Sequence, residues 1–67
     1  MVSAKTLKGY DLTTIEDYFN VILESKINGQ ILQTKKQFAK LSKEQKKDFL
    51  FWLTRDSEVY NFFLQLF

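Results

Sequence analysis

Sixty-seven residues without cysteine or histidine cannot draw on disulfides or on the usual zinc, haem and iron–sulfur ligand sets, so packing or a partner must hold the fold. At 45% hydrophobic and 16% aromatic residues the chain can build a core and is unlike a disordered segment. Net charge is only +2, yet six of the ten basic residues (Lys35, Lys36, Lys40, Lys43, Lys46 and Lys47) crowd into thirteen positions that hold one acid, Glu44.

Residues 1–12 carry a loose alternation of Val2, Ala4 and Thr6 that fades at Gly9, too short and too solitary to make a sheet. An extended N-terminal arm is expected, anchored at its end by Tyr10 and Leu12, with a single helical domain over 13–67. No apolar run is long enough to span a bilayer, and the first residues lack the apolar region of a signal peptide, so a cytoplasmic location is expected.

The first predicted helix covers about 14–27. Thr13-x-x-Glu16 has the pattern of a capping box, and Glu16 and Asp17 suit the positive end of the helix dipole. Ile15, Tyr18, Phe19, Ile22 and Leu23 form one stripe at helical spacing, and Asn28-Gly29 supplies left-handed residues to end it. A second helix is expected over 30–41, with Ile31, Leu32, Phe38, Ala39 and Leu41 on its apolar face. Lys35 interrupts that face, since it projects between Ile31 and Phe38, so either its stem snorkels past the core or this helix packs less tightly than its neighbours.

Ser42 followed by Gln45 is a second capping box, so a third helix should begin at Lys43 and run to about residue 54. Its last turn, Phe49-Leu50-Phe51-Trp52-Leu53, must lie against something apolar. Continuing this helix to the C-terminus would put Asp56 in the middle of an apolar seam. A break is cheaper, with Asp56 as N-cap of a short fourth helix over 57–66; the alternative is one long helix over 43–67 with Asp56 turned to solvent or paired to Arg55 of a neighbour. The expected fold is thus all-α, a three-helix bundle with a short C-terminal fourth helix.

Chemistry is sparse in this pattern. The acids are scattered over predicted polar faces, the only glycines are Gly9 and Gly29, and no nucleophile has a base to activate it, so no enzyme, cofactor or metal site is expected. Two surfaces remain. Trp52, Tyr60, Phe62, Phe63, Leu66 and Phe67 crowd so much of the circumference of the C-terminal turns that one face cannot hide them, which suggests a protein interface and self-association; the alternative is a compact bundle with the fourth helix at its centre, wrapped by the other three. Lys36, Lys40, Lys43 and Lys47 would align on one face if the second and third helices were nearly continuous, and could then neutralise phosphates of a nucleic acid. Lysine without arginine reads bases poorly, and a helix-turn-helix is disfavoured because the joint at 41–42 lacks both glycine and the usual three to four turn residues.

Tyr18-Phe19, the run Glu24 to Gln30, Gln33, Phe38, Leu41-Ser42, Phe49 and Trp52 together resemble a loose class of short helical proteins from bacteria and their phages. The resemblance covers about residues 15–53 and implies the same helix order and a phage or mobile-element origin. It carries over no functional residue. The expectation is a non-catalytic interaction module, an accessory or inhibitory protein in the host cytoplasm if phage-encoded, with nucleic-acid binding as the alternative.

Overall fold

The computed structural model describes residues 1–53 and 57–66, and over them the chain is all-helical. Its elements are α1 (Ala4–Gly9), α2 (Ile15–Ile27), α3 (Ile31–Ala39), α4 (Lys43–Trp52) and α5 (Ser57–Leu66). None of these helices is long and apolar enough to cross a membrane.

The expected extended arm is replaced by α1. Ser3 caps it by accepting the Thr6 N–H at 3.4 Å, and the buried Val2 just before it is tethered to α4. The Gln45 amide accepts the Val2 N–H at 3.0 Å and donates to the Val2 carbonyl at 2.7 Å. With its leading residue fixed, a stretch too short to be helical alone becomes worth ordering. Asp11, at φ 57°, then turns the chain toward α2. Tyr10 and Leu12 dock as the sequence suggests, Tyr10 edge-on to Tyr18 at 5.6 Å and Leu12 against the core.

The capping box of α2 sits one residue later than the sequence pattern indicated, on Thr14 and Asp17 rather than Thr13 and Glu16. Asp17 accepts the Thr14 N–H at 3.3 Å and the Thr13 hydroxyl at 3.1 Å, so both threonines are used. The Thr13 hydroxyl above all, then the Thr14 N–H, holds the Asp17 carboxyl below its ordinary pKa. The helix buries Tyr18, Phe19, Ile22 and Ser25 and closes in a Schellman motif. Gln30 N–H bonds Ser25 O at 2.9 Å and Gly29 N–H bonds Lys26 O at 3.1 Å. Of the two residues expected to be left-handed, only Gly29 is, at φ 78°.

α4 begins at Lys43 behind the Ser42–Gln45 box, in agreement with the sequence reading. Its Phe49 is the hub of the core. Rings from three other helices meet it: Phe19 at 5.1 Å, Phe38 at 5.6 Å and Phe63 at 4.7 Å. Edge-on and tilted aromatic pairs of this kind add to ordinary burial, about 0.5–1.5 kcal/mol each. Leu53 closes α4, and a separate α5 follows. The suggested capping role of Asp56 lies outside the described residues.

Candidate functional site

The C-terminal cluster divides on inspection. Phe63 is fully buried among Phe38, Phe49 and Phe62, so within a single chain it is core and offers no surface. Trp52 is half-buried between Phe19 and Phe49, and Tyr60, Phe62 and Leu66 are half-buried against the core. The Lys26 ammonium lies 4.9 Å from the centre of the Phe62 ring, which shields part of that face. Phe67 lies outside the described residues. Among the described residues of this region, the large apolar side chains that stay out are Phe51, 80% exposed, and Leu64, 49% exposed.

The four lysines are all exposed, but the condition for their alignment is not met. α3 stops at Ala39 and Ser42 is extended (φ −68°, ψ 167°), so no continuous helix carries Lys36, Lys40, Lys43 and Lys47. Lys40 is engaged, donating to the Tyr10 hydroxyl at 3.1 Å. The early end of α3 also corrects an objection to a helix-turn-helix. Lys40, Leu41 and Ser42 make a three-residue connection, which has the length of that motif though not its glycine.

α3 departs furthest from the expected arrangement. Its buried face is Thr34, Gln37 and Phe38, continued by Leu41 beyond its end, an unbroken i, i+3, i+4, i+7 stripe. Of the predicted apolar face, Phe38 and Leu41 are buried as expected, but Ile31, Leu32 and Ala39 are turned outward. Leu32 is 75% exposed and Ile31 36%, and Ala39 and Lys35 are exposed, so Lys35 has no core to snorkel past. Two polar residues are thus buried where leucine or isoleucine was at hand. Thr34 satisfies its hydroxyl by bonding Gln30 O at 2.8 Å, and the Gln37 carbonyl accepts the Tyr18 hydroxyl at 2.8 Å. The Gln37 side-chain oxygen is buried without a hydrogen-bond partner among the described residues.

Ile27, 69% exposed at the end of α2, stands across the Gly29 corner from Ile31 and Leu32. A shallow open depression lies against this corner, lined by Gly29, Gln30, Ile31, Leu32 and Gln33. Ile27, Ile31 and Leu32 thus lie exposed on two helices joined by the Schellman turn. Sequence reading missed this exposure, and the signal was Lys35: a charge at the centre of a supposed core face means that the face is elsewhere.

Comparison of the chain with protein-family models, with curated proteins and with solved structures finds no match.

Proposed function

We propose that this chain is a non-catalytic protein-interaction module whose recognition surface is the α2–α3 corner, built from Ile27, Ile31 and Leu32. One observation carries the reading: α3 turns Leu32 to solvent while burying Thr34 and Gln37. A helix oriented for burial alone would do the opposite, and contiguous exposed apolar side chains beside polar ones mark contact surfaces. Acting as an accessory or inhibitory protein on a host protein is the form the phage resemblance would give this role. Self-association through the C-terminal region is the companion proposal: with Phe63 in the core of the single chain, it would use Phe51, Leu64 and the exposed parts of Trp52, Tyr60, Phe62 and Leu66.

The test is a paired variant, Ile27→Gln with Leu32→Gln, compared with the unaltered chain. Both should be equally folded, since each replaced side chain is largely exposed, and only the unaltered chain should retain a saturable protein partner from the native cell. Equal capture by both sinks the reading. Solution mass, taken on the same samples, reports self-association.

A second reading, nucleic-acid binding, is favoured by the three-residue connection between α3 and α4 and by exposed Lys36, Lys43 and Lys47. A shift assay with duplex DNA at two salt concentrations decides it. Phosphate neutralisation requires affinity to fall steeply with salt.

A further inference from the structure

Within α3 the only charged residues, Lys35 and Lys36, are both positive. Between Glu24 and Glu44 the sequence has no acid, while Lys35 and Lys36 are both exposed on α3. At about 100° per residue, Leu32 and Ala39 lie along the outward line of α3, opposite the buried stripe. Lys35 falls on one flank of that line and Lys36 on the other. Ile31 and Ile27 are exposed on the two sides of the Gly29 corner, and the exposed Glu24 lies one turn before Ile27 on α2.

We infer that the occupant of this surface is an acidic amphipathic helix, with an apolar stripe laid on Leu32, Ile31 and Ile27 and with Asp or Glu on its flanks facing Lys35 and Lys36. The inference rests on the proposed reading of the corner as a binding surface and names the partner's chemistry. Charge selects this occupant. A second copy of the same face would set Lys35 and Lys36 against their own kind, and like charges across an interface suppress pairing. A nucleic acid would use the lysines but would gain nothing from Leu32 and Ile27, which would meet phosphates. An acidic helix uses both halves of the pattern: its apolar stripe removes Leu32 from water, and its carboxylates meet the lysine ammoniums while the lysine stems cover the rim.

The experiment titrates the isotope-labelled full chain with three helix-stapled peptides: a leucine stripe flanked by glutamates, the same stripe flanked by lysines, and the glutamate version with serine replacing leucine. The glutamate–leucine peptide should shift amides concentrated in residues 27–39 and bind at least about tenfold tighter than either control, with affinity that weakens as salt rises. The double variant Lys35→Glu with Lys36→Glu should lose that peptide and gain the lysine-flanked one. Equal binding of the two leucine peptides, shifts centred elsewhere, or no binding would each overturn the inference. If the peptides fail but Ile27→Gln with Leu32→Gln still abolishes capture of the cellular partner, the surface stands and only the partner's acidic character falls. If capture survives that variant, the surface falls as well.

Discussion

Gln45 holds Val2 by both of its backbone polar groups, accepting from the N–H at 3.0 Å and donating to the carbonyl at 2.7 Å, across 43 positions of sequence. The same side-chain oxygen accepts the Ser42 N–H at 3.0 Å, so one amide caps α4 and fastens the N-terminal segment to it. Gln45→Ala should cost about 2–3 kcal/mol, from the lost half of the capping box and two backbone groups left unpaired. Ser42→Ala removes only a cap and should cost about 1 kcal/mol. Urea melts of the two variants make the comparison, and equal losses would mean that the tether to Val2 adds nothing.

Phe63→Ala removes the ring that meets both Phe38 and Phe49. A buried phenylalanine truncated to alanine costs about 3–5 kcal/mol, which is most of the stability a domain of this size has. The expected result is loss of cooperative melting by circular dichroism at 25 °C. A folded monomer with an unchanged melt would show that Phe63 contributes surface and not core.

Tyr18 gives the fold an alkaline limit. Burial, with a smaller contribution from Tyr10 nearby, pushes its hydroxyl up to about 12, against an ordinary value near 10. A raised folded-state pKa means that the stabilisation is complete below the unfolded value and is lost as pH rises, here between about 10 and about 12. Tyr18→Phe should lose about 1 kcal/mol at neutral pH, because the Gln37 backbone carbonyl loses the shorter of its two hydrogen bonds and keeps only the Lys40 N–H. Its stability should also fall less steeply than that of the parent over the alkaline window. Melts at a series of pH values test both, and parallel curves above pH 10 would show that Tyr18 does not set the limit.

Gln37→Met should stabilise the protein. The buried Gln37 side-chain oxygen has no hydrogen-bond partner among the described residues, and a thioether of similar length removes an unsatisfied acceptor while filling the same space. A gain of about 1 kcal/mol in a denaturant melt is expected. A loss of that size would indicate that a water or another group satisfies the amide in solution.

How far the sequence foretold the fold can be argued element by element. α2 and α4 announce themselves, because both carry a Ser/Thr cap with a reciprocating side chain three residues on, and that signal is local. α1 does not, since the tether that makes it worth forming joins Val2 to a residue on α4. The rotation of α3 depends on a choice between two stripes, one apolar but broken by Lys35, the other unbroken but carrying Thr34 and Gln37. The two share Phe38 and Leu41, and local preference favours the first; the hydrogen bonds made by the Thr34 hydroxyl and by the Gln37 backbone carbonyl belong to the second. The C-terminal aromatics were legible as a cluster but not as to which of them is core, because Phe63 is sheltered by Phe38 and Phe49, and Trp52 by Phe49 and by Phe19, which is far from it in sequence.

The turn from α2 into α3 is fastened by main-chain atoms: Gln30 N–H to Ser25 O, Gly29 N–H to Lys26 O, and Thr34 N–H to Gln30 O, with Gly29 supplying the one left-handed residue. Ile27, Ile31 and Leu32 contribute no side-chain hydrogen bond to that closure. Their identities can therefore drift without unpicking the scaffold. A lineage obliged to track a changing target could revise its specificity here by single substitutions, while Gly29 and the backbone around it keep each new version folded.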